Sequence, residues 1–322
     1  MNTKPSIITV TLNPAIDHSV FVDQLLPGTV HRATDSHRQA GGKGVNVATM
    51  LALGGASVAV TGFLGEDNPA IFETHFKRHA LQDNFIRVPG ETRTGIKIID
   101  AQANDTTDLN LPGPAPSSAQ CEGLLSTLLQ QVQAGTWVVI AGSLPRGVEP
   151  AFLLELIPRL REAGAKVAID SSGAALKAAV AAGVDLAKPN EHELAELLDA
   201  KFDDFQATLE AARKLCRERI PNLIVSLGGD GALFLTEDSE LMASAPPVNV
   251  ISTVGAGDSL LAGYLQGRLA GAPLEDCARR ATVYAWSRLE SLVSALPAPD
   301  ELQQRMARVR VQTIASGDAP SQ

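Results

Sequence analysis

Basic residues are in the minority in this chain. Its 27 lysines and arginines stand against 36 aspartates and glutamates, a formal charge of −9. A surface with that balance is repelled by nucleic acid and by anionic membranes, so neither is a general partner. A small anionic ligand stays open, because the local field of a pocket can oppose the net charge. Cysteine is scarce as well. Cys121, Cys216 and Cys277 are widely separated and show no metal-ligand spacing, as expected of reduced thiols in a cytoplasmic protein. No apolar run reaches the roughly 18 residues of a membrane helix, and the polar start Met1 to Pro5 has no secretory apolar core. Aromatics make up only 4% of the residues. Alanine, leucine, valine and glycine dominate instead, which favours a parallel sheet layered between helices over a β-sandwich.

What is present is ample apolar material for one continuous core, 45% of 322 residues. From Ser117 onward helices and strands alternate. Helices are expected over 117–133, 150–163, 173–182, 191–199 and 204–217, and strands over 137–141, 166–170, 223–227 and 232–236. Such alternation means βαβ units and a mainly parallel sheet. Earlier in the chain, strands are expected over 7–12 and 57–65. Segments near 14–33 and 90–112 read as a small separate β lid, and 317–322 as a disordered tail after one domain spanning 1–316.

The most informative stretch is Gly255-Ala256-Gly257-Asp258, which runs directly into an apolar pattern of helical spacing at Leu260, Leu261, Tyr264 and Leu265. Small residues at a helix N-terminus leave backbone N–H groups free to hold an anion such as phosphate. Asp258, in the first turn, is poorly placed to bind that anion and well placed to take a proton from an attacking hydroxyl. The alternative, an ordinary glycine loop capped by Asp258, stays open on these residues alone.

A second glycine-rich helix start, Gly41-Gly42-Lys43-Gly44-Val45-Asn46, fails as a P-loop because Gly44 stands where a magnesium-binding Ser or Thr belongs. It is assigned to a second substrate, with Asn46 toward hydroxyls and Lys43 toward a phosphate or acid. Asp17, just past the first strand, is a candidate for sugar hydroxyls. Arg93, at the base of the expected lid, suits a bidentate phosphate contact. His75 and His79 lack an evident third ligand and read as a solvated helix face.

Taken together, Thr11 to Asp17, Gly41 to Asn46, Gly142-Ser143-Leu144-Pro145, Lys188-Pro189-Asn190-Glu191-His192-Glu193, Ser226-Leu227-Gly228 and Thr253 to Asp258 resemble the ribokinase-like carbohydrate kinases over roughly residues 6–300. Within that family the order and spacing are closest to the branch that acts on fructose 1-phosphate. The tagatose 6-phosphate and minor fructose 6-phosphate branches are near relatives, and Lys43 resembles the first two, the last having glycine there.

The resemblance implies a three-layer α/β/α sandwich with a β lid, and a homodimer formed through the lids. It implies that Asp258 is the base, with Gly255, Ala256 and Gly257 as the anion hole. Asp17, Gly42, Lys43, Gly44, Asn46, Arg93 and Ser143 fall on sugar-phosphate positions. Lys188, Asn190, Ser226, Gly228, Asp230, Gly231 and Gly257 fall on ATP positions, and Asn190 and Glu193 would act on Mg2+ indirectly. The stretch Tyr284 to Pro297 departs from the family pattern, so the adenine wall and any K+ dependence stay open. Trp286 there is expected in the core. A non-catalytic sugar-phosphate sensor is the rival from another class, and the retained Asp258 speaks against it.

Overall fold

Ile7–Thr11 forms β1, buried along its whole length, as a strand covered by helices on both faces must be. In this computed structural model, which describes residues 5–103 and 105–314, β1 lies within an 11-stranded sheet. The expected tail, 317–322, lies outside the described residues.

After β1 the chain leaves the sheet as a hairpin of β2 (Ala15–Val22) and β3 (Asp35–Gly41). Helix α1 (Lys43–Leu53) returns it to β4 (Val58–Gly65), parallel to β1. Next come α2 (Ala70–Arg78), the short strands β5 (Gln82–Asp83) and β6 (Ile86–Val88), then β7 (Thr94–Asp100) and β8 (Asp105–Asn110). The alternation expected after Ser117 follows: α3 (Ser118–Gln131), β9 (Trp137–Ala141), α4 (Ala151–Glu162), β10 (Lys166–Asp170), α5 (Gly173–Ala182), β11 (Leu186–Ala187), α6 (Glu191–Leu197), α7 (Phe205–Glu218) and β12 (Asn222–Ser226). The chain ends with β13 (Ala232–Thr236), β14 (Glu240–Ser244), α8 (Ala256–Leu269), α9 (Leu274–Leu289), α10 (Pro299–Arg308) and β15 (Arg310–Thr313).

The main sheet runs β15-β14-β13-β12-β11-β10-β9-β1-β4-β5, and β6 pairs with β4 off this path as the eleventh strand. It is parallel from β12 to β5 and antiparallel at the β12–β15 edge. The two-residue period of each strand sorts the core. Ile8, Val10, Val138, Ile140, Val167 and Ile169 pack on one face with α3 to α7. Ile7, Val58, Val60, Val139 and Ala168 pack on the other with α1, α2, α8, α9 and α10. This is the three-layer α/β/α sandwich.

The lid is a four-stranded sheet ordered β3-β2-β7-β8. Its strand β3 departs from the sequence expectation, and residues 23–33, expected within the lid, mostly form the loop between β2 and β3. The sequence Asp35-Ser-His-Arg-Gln has little β propensity and is exposed, so no apolar alternation marks it. Pairing with β2 makes it a strand. The polar elements α10 and β15, with Met306 the only buried residue of the former, were invisible for the same reason.

Helices α8 and α9 pack almost backbone to backbone. A Cβ on Gly263 would lie 2.7 Å from the Cα of Ala281, and one on Gly267 2.7 Å from the Sγ of Cys277. That close approach brings the end of α9 beside the start of α8.

Candidate active site

The carboxyl ends of β10, β11 and β12, the tips of α1 and α8, and the inner face of the lid enclose a cleft of about 540 Å³, within the range of small-molecule sites. Gly255 caps α8 with φ 79° and ψ 4°, a left-handed conformation suited to glycine. It lets the chain turn so that Gly255, Gly257 and Asp258 all line the cleft. Ala256 departs from expectation. Its N–H donates to the Thr253 carbonyl at 3.2 Å and is already occupied.

Asp258 is buried, 6% exposed. Its Oδ2 accepts a 2.8 Å hydrogen bond from Asn46 Nδ2, so the glycine-bearing tips of α1 and α8 open onto one cleft. Burial, reinforced by the charge of Asp170, raises the Asp258 pKa to about 6, against the pull of Asn46, Lys43 and Lys188. Asn46 therefore orients a carboxylate through Nδ2 while also lining the cleft, where a contact to hydroxyls is expected of it.

Asp170 was not foreseen. It ends β10, is completely buried, and accepts a 2.9 Å hydrogen bond from Lys43 Nζ, while Lys188 Nζ lies 3.3 Å from its other oxygen as an ion-pair contact. Burial pushes the Asp170 carboxyl up, but the two lysines outweigh it and hold the group below its ordinary range. Burial likewise opposes the charge of Lys43, and Asp170 overcomes it and raises its pKa. An aspartate closing an apolar strand at its carboxyl end was the available signal, the same one that marked Asp17.

Gly42 and Lys43 line the cleft, but Gly44 does not. A Cβ there would lie 2.3 Å from Thr11 Oγ1, so Gly44 serves the close seating of α1 on β1. Asp17 lies within β2, paired with Gly95 of β7, and faces the cleft. Burial raises its pKa, against the pull of Lys97 and Arg93. Lid register decides its neighbours: Lys97 pairs with Asp108 and Gly95 with Asn110, and all four line the cleft. None of Lys97, Asp108 and Asn110 could be singled out without that register.

Arg93 donates from Nε to Asn13 Oδ1 at 3.1 Å and from Nη1 to Asn110 Oδ1 at 3.2 Å. It lines the cleft and also an adjoining cavity of about 390 Å³ that contains Ser143 and Arg146. Ser143 thus sits one cavity away from Asp258, held by Asn13 Nδ2 at 3.0 Å.

On the opposite side lie Lys188, Asn190, Glu193 and Ser226. Asn190 and Glu193 form a capping box on α6, Glu193 N donating to Asn190 Oδ1 at 2.8 Å and Asn190 N to Glu193 Oε2 at 2.9 Å. Gly228, Asp230 and Gly231 form the turn after Ser226 but do not line the cleft. Gly231 is there for packing, since a Cβ would meet the Ala243 carbonyl at 2.2 Å.

Among the described residues no group of three or more His, Cys, Asp or Glu side chains is arranged to hold a metal. One Glu193 oxygen is free of the capping box, which fits a cation such as Mg2+ that keeps its waters and binds chiefly through ligand phosphates. The imidazoles of His75 and His79 lie 4.6 Å apart, and His75 Nε2 is 2.8 Å from Thr49 Oγ1. Burial pushes the His75 pKa down to about 4; the ring is half-buried and packs against α1 through Thr49, so the expected solvated face is only partly exposed there. Trp286 is in the core as expected, 4% exposed, with Arg305 and Arg308 over its ring.

Sequence comparison matches residues 9–300 to the family described as pfkB family carbohydrate kinase. A protein of Xanthomonas campestris named 1-phosphofructokinase is 41% identical over 312 residues, covering 95% of this chain and 98% of the relative. One of Rhodobacter capsulatus with the same name is 40% identical over 309 residues, covering 96% and 98%. The crystal structure of Escherichia coli phosphofructokinase-2 in complex with substrates and products superimposes with a TM-score of 0.88 at 28% identity, covering 94% of this chain and 98% of that one.

Proposed function

The chain belongs to the pfkB family of carbohydrate kinases, and we propose that it transfers the γ-phosphoryl group of ATP to the free primary hydroxyl of fructose 1-phosphate, giving fructose 1,6-bisphosphate. The observation that carries this reading is the Asn46–Asp258 hydrogen bond, which aims a carboxylate of raised pKa at the mouth of an amide-lined helix tip. The relatives named 1-phosphofructokinase support the choice of sugar.

Asp258 takes the hydroxyl proton as the sugar oxygen attacks phosphorus and the bond to the ADP leaving oxygen breaks. Phosphoryl transfer has a loose transition state, so positioning and charge stabilisation carry most of the catalysis. The N–H groups of Gly255 and Gly257 supply part of that stabilisation. Asp17 holds sugar hydroxyls, and the substrate's own phosphate extends toward Arg93, Ser143 and Arg146 in the adjoining cavity. Lys188, Asn190 and Ser226 face the nucleotide. When bound, Mg2+ would supply positive charge to the nucleotide phosphates, and Asn190 and Glu193 are the residues that would act on it indirectly.

Copies of the chain pair through the outer face of the lid. There His18 pairs with Ile96, Val20 with Ile98, and Ile96 with Leu109, an apolar cross-strand patch on the side away from the cleft.

An ADP-release assay across fructose 1-phosphate, tagatose 6-phosphate, fructose 6-phosphate and free fructose tests the assignment. Fructose 1-phosphate is expected to have the highest kcat/KM. A higher value for any of the other three would overturn it.

A further inference from the structure

The last turn of α9 carries a guanidinium that none of these roles uses. Arg288 is only 6% exposed, and Nη1 donates to the Ser291 carbonyl. Nε and Nη2 make no hydrogen bond among the described residues. A Cβ on Gly255 would lie 3.2 Å from Nε, so this side of the guanidinium flanks the start of α8. Asp258 and Asp17 both act on its charge, while burial disfavours it. The guanidinium therefore lies against the tip of α8, whose Gly255 and Asp258 line the cleft. Its position is built in from two directions. The Gly263 contact with Ala281 seats α9 on α8. The N–H groups of Ile251 and Ser252 donate to the Leu289 carbonyl at 2.7 and 3.2 Å, tying the loop before Gly255 to the end of α9.

A buried cation with part of its donor fork unused is unfavourable until an anion completes it. One donor on Ser291 would suffice for a strap. The two nitrogens left without a partner among the described residues, Nε and Nη2, point to a ligand with paired oxygens, the geometry of phosphate. The substrate's own phosphate has Arg93 and Arg146 in the adjoining cavity, whereas the neighbours of Arg288 are Gly255 and the base.

We infer that Arg288 is a catalytic residue that binds the phosphoryl group in transit, donating from Nε and Nη2 beside the amides of the α8 tip. This rests on the phosphoryl-transfer reading above. Arg288 gains and loses no proton. The sugar O–P bond forms, the P–O bond to ADP breaks, and the hydroxyl proton passes to Asp258.

The test uses the full chain with Arg288→Ala and Arg288→Lys, measuring kcat, both KM values, thermal unfolding, and rescue by added guanidinium ion. Arg288→Ala is expected to lose about 10²–10³-fold in kcat, as for removal of a transition-state donor, with both KM values within about threefold. Arg288→Lys keeps the charge without the fork and should fall between. Guanidinium ion should restore activity to Arg288→Ala and leave the parent protein unaffected. An unchanged kcat would overturn the inference. So would a loss accompanied by a lowered Tm and a raised KM for both substrates, with no rescue, because that is the signature of a strap alone. If the parent protein transfers to none of the sugar phosphates, the kinase reading itself fails; if it transfers normally and Arg288→Ala does too, only the role of Arg288 fails.

Discussion

Asn46 and Asp258 lie 212 positions apart in the chain and share a 2.8 Å hydrogen bond. The amide donates, so it stabilises the charged carboxylate and fixes its direction. Two helix tips that the chain builds separately are joined by this contact into one site, and the predictions below depend on it.

Asp258→Asn should bind sugar phosphate and nucleotide about as well as the parent and lose several orders of magnitude in kcat. It should also be more stable. The pKa of Asp258 is raised to about 6 from 3.8, so the native state binds the proton more tightly than the unfolded chain. Its stability therefore falls as pH rises from about 4 to 6, and the neutral amide avoids that loss. A Tm at pH 8 a few degrees above that of the parent is expected. Near-normal turnover would remove the assignment of the base.

The acidic limb of the pH profile should report the same group. As a base, Asp258 must be ionised, so kcat/KM should fall as pH drops through about 6. Asn46→Ala removes an interaction that lowers this pKa, and its acidic limb should move to higher pH with roughly tenfold lower kcat. A profile flat from pH 5 to 8 in the parent protein would contradict the prediction.

Asp170→Asn leaves Lys43 and Lys188 facing each other without their shared counter-charge. Breaking a buried charge cluster in this way costs about 3–5 kcal/mol, measurable as a lowered urea midpoint. Where the variant still folds, loss of the Asp170 charge should lower the Asp258 pKa, moving the acidic limb opposite to that of Asn46→Ala. A stability loss below about 1 kcal/mol would show that the lysines do not depend on Asp170.

Much of this is legible in the sequence. The strand and helix alternation after Ser117 appears with small shifts at the ends, because fully apolar strands and glycine-punctuated helices announce themselves locally. Of the expected site residues, Asp17, Gly42, Lys43, Asn46, Arg93, Lys188, Asn190, Glu193, Ser226, Gly255, Gly257 and Asp258 line one cleft. Ser143 was displaced to the adjoining cavity. Gly44 and Gly231 proved to be glycine because backbone or side chains lie where a Cβ would go, a demand that looks the same in sequence as a ligand-binding loop.

The sequence by itself determined the layered fold, the two glycine-bearing helix tips and the carboxylate at one of them, because helical period, strand composition and turn chemistry are properties of neighbouring residues. Only the tertiary structure decided that Asn46 serves Asp258, that Asp170 binds two lysines, that Lys97, Asp108 and Asn110 line the cleft, and that Arg288 flanks the tip of α8. Those relationships depend on lid register and on how closely α9 approaches α8. Contacts between residues far apart in the chain are set by packing, which no local pattern encodes.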